Sequence, residues 1–159
     1  MLFTEKKINI SNYEQALKVY NSNKEFLLHH LGKTFVDKSF IVNEVKEMEE
    51  HGFSSNLICV DNEPIGILDY MILPSHDAYL SLLMLDSSMQ HAGIGTNLYL
   101  YLERKLADEG VKSIRIDVVN DYETNVIPFW EALGFLGQKE TFLTWGEKTS
   151  KVLVMIKSL

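Results

Sequence analysis

The chain predicts an α/β protein whose strands form a mixed, mostly antiparallel sheet, and three stretches carry that reading. Residues 56–85 hold three apolar, β-rich segments separated by short turns, which pair as consecutive antiparallel strands. Tyr79 to Leu85 runs into a glycine-bearing turn and then a helix ending at Gly110. Gln138 to Thr144 and Lys151 to Ile156 make a closing hairpin around Gly146 to Ser150. The order β-α-α-β-β-β-α-β-α-β-β follows, and 159 residues suit a single domain, 1–159, around one core.

Taken in order, Lys7 to Ile10 reads as the first strand. Ser11 with Glu14 three residues later makes a capping box for a helix through Tyr20, with Ala16, Leu17 and Tyr20 on its apolar face. Asn21 to Lys24 breaks it, and the short apolar segment Phe26 to Gly32 carries His29 and His30. Asp37 to His51 is the second helix, with Phe40, Ile41, Val45 and Met48 inward and Gly52 as its stop. Asn56 to Val60 and Ile65 to Leu73 are strands joined by Asp61 to Pro64, which has hairpin chemistry. Pro74 to Asp77 turns the chain into the central strand. Ser113 to Val119 alternates Ile114, Ile116 and Val118 against Arg115 and Asp117, the period of a strand. Asn125 to Leu133 is a last helix, with Asn125 as N-cap, Pro128 in the first turn and Gly134 at its end.

Composition narrows the function. Apolar residues make up 46% and charged ones 23%, ordinary for a globular protein. The N-terminus lacks a signal-peptide apolar region, and no apolar run approaches the roughly 18 residues of a membrane span. One cysteine, Cys59, leaves no intramolecular disulfide and no zinc cluster of cysteines. A cytoplasmic protein with no membrane partner is the simplest account. A net charge of −7 argues against nucleic acid, is compatible with a cationic amine, and helps keep a small protein in solution.

The chemistry concentrates in Gln90, His91, Ala92, Gly93, Ile94, Gly95 and Thr96, between the central strand and the helix carrying Leu98, Leu102 and Leu106. Two glycines let the backbone approach a ligand, and the helix N-terminus offers free N–H groups and a positive dipole end, a place for a pyrophosphate. A P-loop would need a lysine where Thr96 follows Gly95, and the dinucleotide fingerprint a third glycine where Leu98 stands. The pattern Gln90-x-x-Gly93-x-Gly95 resembles the acetyl-CoA turn of the GCN5-related N-acetyltransferases. Asn125 to Phe135 is similar to that family's last helix, and Val154 to Lys157 to its closing strand.

The resemblance covers most of the chain from Asn56 onward. It implies the acyl-CoA N-acyltransferase fold with helices on both sheet faces, acetyl-CoA as co-substrate, and acetyl transfer to a primary amine of a small molecule or peptide. A homodimer is compatible with it. Gln90 to Thr96 would hold the pyrophosphate, and the backbone of Leu83 and Leu85 the pantetheine arm. Asn125, Phe129 and Trp130 would complete the cofactor site, the two aromatic rings flanking the thioester. The chain departs from the family where Ser87 replaces a proline, where the motif asparagine falls on Glu123, and where Trp130 replaces a tyrosine that protonates the thiolate. An indole N–H is not a useful acid. A CoA-binding regulatory module without turnover, or a nucleotide-binding domain outside the family, therefore stays open.

Transfer to an amine whose pKa is about 10 requires a proton acceptor, whereas a thiolate of pKa about 8.5 leaves with little help. The candidate acceptors are Asp69, whose burial among apolar neighbours would raise its pKa, and Tyr79, where some relatives carry a glutamate; their structural alternatives are a strand-face position or hydrogen bond for Asp69 and packing for Tyr79. For the acid that Trp130 cannot supply, Tyr122, Tyr79 or water could substitute. His76 is a candidate on pKa grounds or a solvated turn residue. His29 and His30, with Phe26 and Phe35, fall where the family's first helices wall the acceptor pocket. Adjacent helix residues diverge by about 100°, so no metal site is expected. Glu44, Glu47, Glu49 and Glu50 read as a solvated helix face or a lure for a polyamine.

Overall fold

The computed structural model describes residues 1–159. Its strands are β1 (Thr4–Lys7), β2 (Ser54–Val60), β3 (Glu63–Ile72), β4 (Asp77–Leu85), β5 (Ser113–Val119), β6 (Leu136–Trp145) and β7 (Lys148–Ser158). Its helices are α1 (Tyr13–Ser22), α2 (Lys24–Leu31), α3 (Lys38–Glu50), α4 (Ile94–Asp108) and α5 (Ile127–Ala132). The strands form one seven-stranded sheet in the order β1-β2-β3-β4-β5-β7-β6. Every pairing is antiparallel except β4 with β5. No helix is long and apolar enough to cross a membrane.

Helices cover both faces. On one, Leu98, Leu102 and Leu106 of α4 and Trp130 of α5 pack on Leu68, Leu80, Ile114 and Ile116. On the other, Ala16 and Val19 of α1 and Ile41 and Val45 of α3 pack on Leu57, Ile67, Leu82 and Met84. The alternation predicted for β5 is what sends Ile114, Ile116 and Val118 to the α4 face and leaves Arg115 and Asp117 on the α1 face.

Several boundaries differ from the sequence reading. The first strand ends at Lys7 rather than starting there, because asparagine side chains claim the backbone that follows. Asn12 Oδ1 accepts from Asn9 N (2.9 Å), Asn12 Nδ2 donates to Lys7 O (3.0 Å), and Asn9 Oδ1 accepts from Ser11 N. The same contacts prevent the Ser11–Glu14 capping box, and α1 starts one turn position later behind Asn12. Residues 24–31 form a helix of their own, α2, closed by Gly32 at φ +73°. The helix predicted from Asn125 starts at Ile127; Asn125 Oδ1 accepts from Ile127 N (3.1 Å) and Nδ2 donates to Tyr122 O (2.9 Å). The Asp37 cap is made as the sequence suggests, accepting from Phe40 N at 2.9 Å.

Candidate active site

A wedge opens in the middle of the sheet. β4 and β5 pair only from Asp77 with Ser113 to Tyr79 with Arg115, although β4 continues to Leu85 and β5 to Val119. Beyond Tyr79, β4 stays on β3 and β5 stays on β7, so the two strands diverge. A bulge sharpens the divergence. Asp69 pairs with Leu82 and Tyr70 with Leu80, which leaves Ser81 unpaired. In an unbroken strand Leu80 and Leu82 would share a face; here Leu80 packs on the α4 side and Leu82 on the α1 side.

The bulge and register also aim the backbone. Asp86 N donates to Ile65 O of β3 at 2.8 Å, so the peptide groups of Leu85 and, two residues earlier, Leu83 face away from β3 into the wedge. The Leu85 carbonyl is already filled, accepting from Asn23 Nδ2 (2.9 Å) and Gln90 Nε2 (3.2 Å). That leaves the Leu83 N–H and C=O and the Leu85 N–H directed at the wedge.

At its mouth lies the turn. Gln90 does not reach outward: its Nε2 donates to Asn23 Oδ1 at 2.6 Å, fastening the turn to the junction of α1 and α2. His91, Ala92 and Gly93 are exposed, with His91 at φ +63° and Gly93 at φ +77°. Gly93 caps α4 without a side chain, so the first N–H groups of Ile94, Gly95 and Thr96 form a bare helix N-terminus. A Cβ on Gly93 would meet open space but be strained by its φ. A Cβ on Gly95 would touch Phe129 and Leu85 at 3.7 Å, an ordinary contact.

The α5 aromatics part ways. Phe129 is half-buried against Gly95, whereas Trp130 is turned into the α4 core, edge-on to Tyr99 (5.7 Å), Phe129 (4.9 Å) and Phe135 (5.3 Å). Of the pair, Phe129 is the ring beside the turn. The Asn125 amide is spent on its own loop.

On the α1 side of the wedge stand the remaining candidates. Tyr79 Oη donates to Asp117 Oδ2 at 2.7 Å, and Arg115 grips the same carboxylate through Nε (2.9 Å) and Nη2 (3.1 Å). Burial, then Asp117, holds the Tyr79 phenol well above its usual pKa. Tyr122 stacks on His29 with ring centroids 3.9 Å apart, and burial pushes its phenol up as well. His30 stacks on Phe26 (3.8 Å), and its Nδ1 lies 2.8 Å from the Phe26 carbonyl. Burial lowers its pKa to about 4, so the ring is neutral. Phe35, grouped with these residues on the sequence, is exposed, as is His76.

Asp69 lies deeper, enclosed by Ile8, Tyr20, Ile41, Glu44, Val45 and Ser55 in a space too narrow for water. Burial raises its pKa to about 7, opposed by a Ser55 hydrogen bond and aided by the Glu44 charge; Oδ1 has no partner. Glu44 is also raised to about 7 by burial, and accepts from Trp145 Nε1 at 2.8 Å, so it is no solvated face residue.

Three side chains that matter here carry no signal as single residues. Asn23, inside a stretch read as a helix break, ties α1, the β4 carbonyl and Gln90 together. Asp117 is a routine polar position in an alternating strand, and Glu44 one of several glutamates. The alternation of β5 puts Asp117 opposite the core; which strand faces it there is a matter of sheet order alone.

Comparison with known proteins places this architecture. A model of the acetyltransferase (GNAT) family matches residues 16–135. No curated protein matches the chain by sequence. Among solved structures, an acetyltransferase from Thermus thermophilus shares 21% identity at TM-score 0.76, covering 100% of this chain and 98% of that one. A Salmonella typhimurium acetyltransferase that modifies the N-terminal serine of a 50S ribosomal subunit protein shares 18% at TM-score 0.80, covering 99% and 95%. The Thermoplasma acidophilum PaiA N-acetyltransferase, solved with coenzyme A, shares 19% at TM-score 0.67, covering 100% of both chains. At these identities the likeness is one of fold.

Proposed function

The chain belongs to the acetyltransferase (GNAT) family of acetyl-CoA-dependent N-acetyltransferases, and from that premise we propose that it acetylates a primary amine by direct attack on acetyl-CoA held in the wedge between β4 and β5. The observation that carries the reading is the wedge with a bare helix N-terminus at its mouth. The pyrophosphate lies on the N–H groups of residues 93–96, where charge is met by fixed dipoles. The pantetheine arm follows β4 inward and bonds the free groups of Leu83 and Leu85 in the manner of an added strand. A backbone N–H there polarises the thioester carbonyl without reorganisation. Phe129 covers the arm beside Gly95, and Trp130 backs Phe129 from the core.

Direct attack is supported by the place of the sole cysteine. Cys59 is buried in β2, away from the wedge, with its thiol pKa raised by burial, so no thiol stands ready to carry the acetyl group. The attacking nitrogen loses two protons in all; one ends on the CoA sulfur and one in solvent. Asp69 is left outside this path because its carboxyl is sealed beneath α1 and α3. The stacked Tyr122–His29 and Phe26–His30 pairs with Trp145 form the acceptor wall. Acetyl-CoA chemistry with one buried thiol suits the reducing cytoplasm.

A CoA-binding module without turnover is the rival, favoured by Trp130 at the position of the family's tyrosine acid. Titration calorimetry with acetyl-CoA on wild type and Gly93→Asp tests the site. Wild-type binding that the variant loses by at least about 100-fold is expected, from backbone strain and a carboxylate aimed at the phosphates. Wild type that ignores acetyl-CoA overturns the reading. Binding without acetylation of any amine selects the silent module.

A further inference from the structure

We propose that Tyr79 takes the proton from the incoming ammonium, and that Asp117 is the positioning residue that makes it able to, a relay at the apex of the wedge; the proposal rests on the acetyltransferase reading above. The wedge narrows from the turn toward the last β4–β5 rung, Tyr79 with Arg115, so an arm entering at the turn brings its reacting end toward that rung. Of β4 beyond Tyr79 and β5 beyond Arg115, Asp117 is the only ionisable side chain. It is also positioned for the task, with 7% of its side chain exposed and both oxygens held, Oδ1 by Arg115 Nε and Oδ2 by Arg115 Nη2 and Tyr79 Oη.

The direction of the hydrogen bond decides who does what. A carboxylate only accepts, so the phenol proton points at Asp117 and the Tyr79 oxygen keeps its lone pairs for a donor arriving elsewhere. The ring is fixed for this by an edge contact with Phe53 (5.6 Å) and by the Arg115 guanidinium 5.3 Å over its face. An ammonium hydrogen-bonded to Tyr79 Oη passes its proton to that oxygen as the phenol proton moves to Asp117 Oδ2. The neutral amine then forms the C–N bond as the C–S bond breaks. The second nitrogen proton goes to the CoA thiolate, and Asp117 returns its proton through Tyr79 to water. Tyr79 alone would be a poor base; the carboxylate behind it gives the proton a destination. The charged group facing Asp117 is Arg115 on its own strand, and the other titratable one is the neutral phenol of Tyr79 on β4; from β7 its neighbour is Val154.

The test is acetyl transfer to butylamine, spermidine and a tripeptide with a free N-terminal serine by wild type, Tyr79→Phe, Asp117→Asn and Asp117→Glu, from pH 6 to pH 10. Acetyl-CoA titration and thermal melts accompany it. Asp117→Asn and Tyr79→Phe should each lower kcat by about 100-fold at pH 7, with acetyl-CoA affinity unchanged, and recover as rising pH supplies free amine. Their double variant should fall no further, and Asp117→Glu should retain about a tenth of the activity or more. A folded Asp117→Asn within threefold of wild type across the range overturns the relay, as does a loss that pH does not relieve. Should Asp117→Asn not fold, the Tyr79→Phe profile decides by the same criterion. Wild type that binds acetyl-CoA yet acetylates none of the three amines overturns the acetyltransferase reading itself. Turnover that is indifferent to both variants overturns the relay alone.

Discussion

The two sides of the wedge are built by different means. The proposed cofactor side, from the end of β4 through α4 to α5, presents backbone: glycines, a bare helix N-terminus and strand peptides, with side chains such as Gln90 working behind it. The proposed acceptor side presents side chains, stacked rings on α2 and after β5, and buried carboxyls under α1 and α3. Backbone donors suit a ligand whose phosphates never change. Side chains can be exchanged without moving the fold, so on the proposed reading amine preference resides on that surface.

Asn23 joins the two sides, and removing it should produce the largest change. Asn23→Ala deletes bonds to Val19 O, Leu85 O and Gln90, so stability should fall by roughly 2 kcal/mol and acetyl-CoA affinity should drop with it. Calorimetric melts and titration read both. A variant with unchanged affinity would mean that the turn holds itself and the sides are independent.

Asp69→Asn should act on stability alone. The native carboxyl has a folded pKa of about 7 against an unfolded value near 4, so its contribution is fully present at low pH and is lost as pH rises toward 7. The amide removes that loss, and the variant should be more stable than wild type by roughly 2 kcal/mol at pH 8 and should flatten the pH 4–7 slope in urea titrations. His30 slopes the other way: its depressed pKa gives stability that is present above about 6.5 and lost as pH falls toward 4. A drop in turnover without gain in stability would return Asp69 to the proton path.

Trp145→Phe separates the sides more finely. It deletes the 2.8 Å donation to Glu44 while keeping most of the ring, so amine KM should rise about fivefold with acetyl-CoA affinity unchanged. An unaltered KM would remove the β6–β7 tip from the acceptor wall. Gly95→Ala is the smallest change: its Cβ meets only van der Waals contact inside a helix, so melting and acetyl-CoA titration should stay within about 0.5 kcal/mol of wild type. A large loss would mean that the ligand passes closer to Gly95 than to Gly93.

What the sequence shows clearly is what short-range chemistry sets. The strand–turn–helix around Gly93, the Asp37 cap, the β2–β3 turn at Asp61 and Asn62 with both at positive φ, and the alternation of β5 are each contained in a few consecutive residues. The limits of the first strand and of α1 are less visible in the sequence because asparagine side chains compete with the backbone, and such contacts leave no periodicity. The family resemblance of the turn is legible for the same reason as the turn itself: Gln90, Gly93 and Gly95 lie within six consecutive residues.

Tertiary structure alone decided the rest. Only the sheet order brings Asp117 of β5 against Tyr79 of β4, 38 residues apart. Only the Ser81 bulge decides that Leu82 leaves the face of Leu80, and only the packing of α5 on α4 sends Trp130 inward and leaves Phe129 beside Gly95. The physical reason is range. Propensity, capping and turn chemistry act within a few residues, whereas a partner across a sheet is chosen by the closure of the whole chain around its two cores.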